Sequence, residues 1–367
     1  MIKIFNFITK TFVIFYNSFS YIYVNSILKK KFSENLFLKR NEKLLIGVID
    51  NISHTPTFVN LEFLIYCKSL DYKKNYILVL PFEKKIKTLY KKKDNLVKDD
   101  ENLRYRTILQ PALDIIENFD PNIVFLSNRY EALNFLNGNN SNKVILPQKF
   151  NVLKVTKVDD KVSFLKKYLL AYQKTKKKVV LKAPNVFVEL VKKYINFEDD
   201  QKIVTISLKD AYYSRKRNSK ISEWIKFSSF LKKNKIRVIY ILDISSLGNK
   251  NYFKKLLKDY EIYDLFSYDI RARLALYEIS YLNCSISSGT NTLLFHSNSN
   301  YLLFSPINNK IHYGTGSYSL WLKHTGIKFN DQFPFALNTQ KIVWTKNNEK
   351  YSCMVKEFKE FEKKLKT

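Results

Sequence analysis

Cysteine, histidine, glycine and acidic side chains are all scarce in this chain, and each shortage removes a class of explanation. Cys67, Cys284 and Cys353 are far apart, odd in number and without CxxC spacing. A disulfide framework or a thiolate zinc site is therefore not expected, and a reducing compartment fits best. His54, His296, His312 and His324 lack HExxH-type spacing, so no structural metal is predicted. A clean membrane span is missing too. Residues 4–24, "IFNFITKTFVIFYNSFSYIYV", are long enough to cross a bilayer, but Asn6, Lys10, Asn17, Ser18 and Ser20 interrupt them. No small-residue cleavage site follows, so a signal peptide is not expected here. Two readings of this segment stay open: an amphipathic helix in the headgroup region, its aromatic side in lipid and "LKKKF" (28–32) on anionic phosphates, or a helix packed on the protein's own surface.

What the chain has in quantity is apolar surface and positive charge. At 367 residues and 46% hydrophobic, it suits two domains of about 150 to 200 residues rather than one core or a disordered polymer. A formal net charge of +30 attracts anions such as nucleotides, nucleic acid or acidic headgroups. The excess is mostly Lys beside abundant Asn, Ile, Phe and Tyr, a composition that an AT-rich genome also produces.

Short apolar runs alternate with helical periodicity. "KLLIGVID" (43–50), "NYILVLPF" (75–82), "PNIVFLSNR" (121–129) and "NKVILP" (142–147) are predicted strands, separated by helical patterns at 58–70, near 102–118 and after Tyr130. Beyond a helical, Lys-rich middle at 151–200, the pattern restarts. Strands are predicted at 202–208, 236–243, 263–267, 284–288 and 301–306, with helices at 221–234, 252–260 and 272–282. "DQFPFALNTQKIVW" (331–344) is expected to cross back between domains, with Gln332 and Gln340 bonded to backbone. Val355, Phe358, Phe361 and Leu365 mark the apolar stripe of a terminal amphipathic helix. Alternation of this kind builds parallel sheets covered on both faces. The expected organisation is an aromatic helical segment (1–42), an α/β domain (43–195), a second α/β domain (196–345) and a helix packing back (346–367), the two domains facing across a cleft.

In an open parallel sheet, ligands bind beyond the carboxyl ends of the strands. "SSGTNT" (287–292) falls at such an end. Gly289 permits close backbone approach, while Ser287, Ser288, Thr290, Asn291 and Thr292 with the next amides can donate to phosphate; an ordinary capped turn is the alternative. "KDAYYSRKRNSK" (209–220) supplies Arg215 and Arg217 for bidentate contact with a diphosphate, followed by Asn218 and Ser219. Asp243 ends a strand, suited to a donor contact or to helix capping. Glu278 lies on an otherwise apolar helix and could accept from a ribose, from Arg215 or Arg217, or from Arg271 or Arg273; a plain exposed helix carboxylate is the alternative. After the first strand, "IDNISHTP" offers His54 as general base with Asp50 as the alternative.

Three segments, "KIVTISLKDAYYSRKRNSKISEWIKFSSFLKKNKIRVIYILD", "ARLALYEISYLNCSISSGTNTLLFHSNSNYLLF" and "GIKFNDQFPFALNTQKIVW", resemble the carboxyl-terminal half of bacterial GT-B-type glycosyltransferase-like proteins of surface polysaccharide clusters. "YRTILQPALDIIE" and "LSNRYEA" extend the resemblance over most of residues 43–350. It implies two Rossmann-like domains, a nucleotide sugar in the second, and a glycan or lipid-linked acceptor in the first. It also implies an enzyme with the donor as substrate and no cofactor; a cytoplasmic location is expected, and the positive surface and amino-terminal segment would keep the protein near the inner face of the membrane if that segment binds lipid. The sequence has no DxD triplet, the carboxylate pair with which GT-A enzymes hold a divalent ion, and this absence agrees with a metal-independent reaction. Three other functions compete. A sugar-nucleotide epimerase would concentrate carboxylates and histidine in the cleft. A basic nucleic-acid binder would expose its aromatics, whereas most here sit inside apolar runs. A catalytically inactive GT-B-like scaffold would bind a nucleotide without transferring its sugar.

Overall fold

The computed structural model describes residues 44–50, 58–80, 108–138, 143–147, 163–210, 218–243, 250–306, 318–345 and 349–366. The expected amino-terminal helix at 1–42 lies outside them. The described strands are β1 (Leu44–Ile49), β2 (Lys74–Val79), β3 (Asn122–Phe125), β4 (Lys143–Leu146), β5 (Ile203–Ser207), β6 (Arg237–Ile241), β7 (Glu261–Ile262), β8 (Leu282–Ile286), β9 (Tyr301–Pro306) and β10 (Gln340–Thr345). They form two sheets, ordered β3-β2-β1-β4 and β10-β9-β8-β5-β6-β7, with every described pairing parallel. Counted from its own first strand, the second sheet has the order 3-2-1-4-5-6, the doubly wound arrangement of dinucleotide-binding domains, and the first sheet has the 3-2-1-4 portion of it.

Compactness divides the chain differently from a linear boundary at residue 195. One unit comprises Met1–His54, Tyr72–Ile86 and Asp120–Asp159; the other comprises Thr55–Asp71, Lys87–Phe119 and Asp160–Thr367. In the first unit, Leu44, Ile46 and Val48 point to one face of β1 and pack with Leu78, Leu80, Leu126 and the helix residues Ala132, Leu133 and Leu136.

From Val204 in β5 and Leu282 in β8 onward, the second unit's central strands alternate apolar and polar residues. Val204 and Ile206 of β5 and Leu282, Cys284 and Ile286 of β8 join Trp224, Phe227 and Leu231 of helix Ile221–Lys233 and Met354, Phe358 and Phe361 of helix Tyr351–Lys364 in one apolar core. The opposite face carries Thr205, Ser207, Asn283 and Ser285, all buried. Buried hydroxyls and amides on a sheet face must be hydrogen-bonded, and they are. Thr205 Oγ1 donates to Asn283 Oδ1 at 2.6 Å, and Asn283 Nδ2 donates to Tyr277 O at 3.0 Å.

Several expected elements differ in detail. In place of a strand at 263–267, β7 occupies Glu261–Ile262 and Leu265–Tyr268 is a helical turn. Arg237 grips the Glu261 carboxylate through Nε (2.7 Å) and Nη2 (2.6 Å), fixing those residues beside β6, while Ser267 Oγ donates to Leu242 O. Residues 340–345 are the edge strand β10 of the second sheet rather than an interdomain crossing. Its register is held by Gln332, bonded to Ile342 O and N, and by Gln340, bonded to Ser297 O and Ser299 O. The terminal helix buries Met354, Phe358 and Phe361, whereas Leu365 is exposed, because it follows the helix's last residue.

His296 is sealed between Tyr168, at 4.7 Å between ring centroids, and Phe335 at 5.5 Å. Neither ring nitrogen makes a hydrogen bond. Burial, with Lys178 nearby, pushes its pKa down to about 3 from 6.5. The folded protein therefore holds this ring neutral while the unfolded chain takes up a proton as pH falls below 6.5, so stability is lost between those two values. From pH 7 to 4 the loss from this group should be on the order of 3 kcal/mol, and His296→Leu should flatten the acid limb of denaturant midpoint against pH.

Candidate functional site

Outward from β5 and β8 the chain winds in opposite directions, and a crevice opens at the carboxyl ends of two such neighbours. Ser207 ends β5 in register with Ser285 of β8. Two residues past each partner come Lys209 and Ser287, and the buried Lys209 Nζ donates to Ser287 O at 3.4 Å, linking the two exits.

The loop after β8 is shaped by Asn291. Its side chain is buried, accepts from Ser285 Oγ at 3.0 Å and donates to Ile286 O at 2.8 Å. Asn291 thus builds the loop instead of facing a ligand. Thr292 is also buried, and its hydroxyl donates to Glu62 at 3.4 Å. The amides of Asn291, Thr292 and Leu293, expected to be free for phosphate, are taken by the carbonyls of Ser288, Gly289 and Thr290. What the loop presents is its tip: Ser288 and Thr290, half-buried with hydroxyls 2.8 Å apart, and the exposed Gly289. The glycine answers a different demand from the one expected. Its φ is not positive, and a Cβ there would lie 3.1 Å from Phe58 Cδ2, so the close neighbour is an aromatic ring of helix Phe58–Ser69.

The loop after β5 is closed at its base by paired contacts. Lys209 N donates to Ser219 Oγ at 2.8 Å, Ser219 N to Lys209 O at 2.9 Å, and Asn218 Nδ2 to Asp210 Oδ1 at 2.9 Å. Asn218 and Ser219 therefore form the neck of a loop whose Arg215 and Arg217 lie outside the described residues. Asp243 stands just beyond the carboxyl end of β6, next to β5.

Glu278 belongs elsewhere. It occupies the last turn of helix Ile270–Ile279 and accepts from Ala183 N at 2.8 Å. A crossover helix ends beside the amino end of the strand it feeds, here β8, so Glu278 faces away from the ligand edge. Arg271 is not its partner: it pairs with Asp269 and Asp114, each at 2.8 Å. In the first unit, Asp50 is buried immediately after β1, at that sheet's own switch point beside β4. His54 lies outside the described residues. No group of three potential metal ligands occurs among the described residues, and no described helix is long and apolar enough to cross a membrane.

Sequence reasoning gave three side chains near this edge no role there. Lys209 was submerged in a basic run, although its position directly after a strand was the available signal. Arg273, considered only as a partner for Glu278, is buried at 5% exposure and bonds Ser207 Oγ and Tyr277 Oη instead, and its spacing of four from Tyr277 was legible. Glu62 carried no signal. Burial pushes its carboxyl up to about 7, against opposing hydrogen bonds from Thr292 and the Leu165 amide.

With these elements in place, the structure is similar to that of E. coli ADP-heptose LPS heptosyltransferase II, at a TM-score of 0.51 and 9% identity, over 89% of this chain and 100% of that one. The fold is that of a GT-B glycosyltransferase. Also similar are a glycosyl transferase family 9 structure from Veillonella parvula, at TM-score 0.44 and 9% identity over 90% of this chain and 99% of that one, and E. coli heptosyltransferase WaaC with ADP, at 0.43 and 9% over 87% and 99%. No protein-family model and no curated protein matches the sequence. In GT-B terms the β5–β8 edge belongs to the carboxyl-terminal Rossmann-like portion of the chain.

Because Phe58 crowds Gly289, Gly289→Ala should lower stability by roughly 1 kcal/mol through overpacking. Combining it with Phe58→Ala should remove that increment, which a double-mutant cycle of denaturant midpoints measures directly.

Proposed function

We propose that this protein is a glycosyltransferase that takes a sugar from a nucleotide-sugar donor at the β5–β8 edge and transfers it to a surface polysaccharide or lipid-linked glycan. The observation that carries the reading is the convergence, at a doubly wound sheet's switch point, of a buried lysine and a hydroxyl-bearing loop tip. The fold agrees: E. coli heptosyltransferase II, which shares it, is described as acting with ADP-heptose.

In this reading the donor diphosphate lies against Ser288, Gly289 and Thr290, with Ser287 and Lys209 at its base. Arg215 and Arg217, carried by the loop that Asn218 and Ser219 close, meet the remaining phosphate charge without a divalent ion. Asp243, beyond the neighbouring strand, is suited to the donor's hydroxyls. An acceptor hydroxyl attacks the anomeric carbon, its proton passing to Asp50 or His54 as the carbon–phosphate oxygen bond breaks. The leaving nucleoside diphosphate gains negative charge, which the basic groups stabilise more strongly than they do the intact donor. The protein would act on the cytoplasmic side, its positive charge favouring acidic membrane surfaces where such acceptors are held.

Thermal stabilisation by UDP, GDP, ADP, CMP and dTDP tests the reading. One of them at 100 times its dissociation constant should stabilise by roughly 2.7 kcal/mol. Lys209→Ala should weaken that ligand about tenfold, consistent with loss of one charge-assisted contact. Asp50→Asn should leave donor binding intact while reducing transfer, if Asp50 is the base. Binding by the wild-type protein without transfer or donor hydrolysis would identify a scaffold, and absence of nucleotide binding would remove the proposal.

A further inference from the structure

Of the three described arginines of the second unit, two have carboxylates: Arg237 pairs with Glu261, and Arg271 with Asp269 and Asp114. Arg273 does not. Only 5% of it is exposed, yet among the described residues no carboxylate lies within ion-pair distance. Its Nε donates to Tyr277 Oη at 2.9 Å and its Nη2 to Ser207 Oγ at 3.3 Å, while Nη1 has no hydrogen-bond partner among the described residues. The Tyr277 and Ser207 hydroxyls share a hydrogen bond of their own at 2.8 Å, so they hold the guanidinium in place without supplying charge.

Arginine cannot shed its proton to escape burial, as lysine can, so a buried guanidinium without a counter-charge is retained at a cost in stability. Its position suggests what offsets that cost. Side chains on a helix tilt toward its amino terminus, which in a crossover helix lies at the carboxyl edge of the sheet. Arg273, in the second turn of helix Ile270–Ile279, and Tyr277 both lean toward that edge. Their contact there is Ser207, the last residue of β5, paired with Ser285 two residues before the Ser287 carbonyl that Lys209 binds.

We infer that Arg273 is the buried counter-charge for a phosphate group of the ligand, which reaches Nη1 from the switch point between β5 and β8. The inference rests on the reading of that edge as a nucleotide-diphosphate site and adds a recognition residue to it. Tyr277 and Ser207 act as positioning residues that fix the fork.

The test is calorimetric titration of the full chain with ADP, GDP, UDP, CDP, dTDP and inorganic pyrophosphate, with ligand-free melting temperatures measured in parallel. The wild-type protein should bind at least one diphosphate. Arg273→Met should bind it at least 30-fold more weakly while melting, without ligand, at or above the wild-type temperature. A purely structural arginine would give the opposite pair of results: a lower melting temperature with affinity within threefold of wild type. That outcome overturns the role of Arg273 and leaves the site reading standing, whereas a wild-type protein that binds none of the six overturns both. If Arg273→Met does not fold, Arg273→Lys decides. It keeps the charge but not the fork, so a tenfold or greater loss at unchanged melting temperature supports the inference, and wild-type affinity overturns it.

Discussion

The pairing of β5 with β8 is the constraint on which the second unit depends. The sheet grows outward from that pair in both directions, so its switch point and the loops that leave it are fixed by one register, Val204 with Leu282 through Ser207 with Ser285. A slip of one residue would turn every side chain of a strand to the other face. Here that penalty is severe on both sides: Val204 and Ile206 would leave the apolar core, and Thr205 would lose Asn283. Each buried hydroxyl or amide so orphaned costs about 1 to 3 kcal/mol, which specifies the register more sharply than apolar packing alone.

The polar face also explains how basic groups come to be buried beside the candidate site. A sheet face of Val and Ile would offer a guanidinium nothing. Ser207, at the end of β5, gives Arg273 a hydroxyl, and the Ser287 carbonyl beyond β8 gives Lys209 an acceptor. One strip of hydrogen bonds therefore fixes the strands and places positive charge at their carboxyl ends. The opposite face, built on Trp224, Phe227 and Phe358, supplies the hydrophobic stabilisation that such a layer requires.

Much of this was legible in the sequence. Short apolar runs located the strands, because strands covered on both faces have little polar content, and the alternation of apolar and hydrogen-bonding residues in "IVTIS" and "LNCSI" was present to be read. The loop at 287–292 was placed at the proper edge because that argument needs only chain order. Tertiary detail was not accessible. At Gly289 the sequence suggested a ligand's approach and could not show the ring 231 residues away in the chain that a Cβ there would crowd. Glu278 and Arg273 share a helix and differ in reach: one, in the last turn, serves Ala183, and the other leans to the ligand edge. Asn291 looked like a donor to phosphate until its own loop was found to consume its amide.

A crystal structure of the protein with a bound nucleoside diphosphate tests the central claim most directly. The diphosphate is expected at the carboxyl ends of β5 and β8, with phosphate oxygens within hydrogen-bonding distance of the Ser288–Thr290 tip and of Lys209. Phosphates seated on another face, with that edge empty, would contradict it.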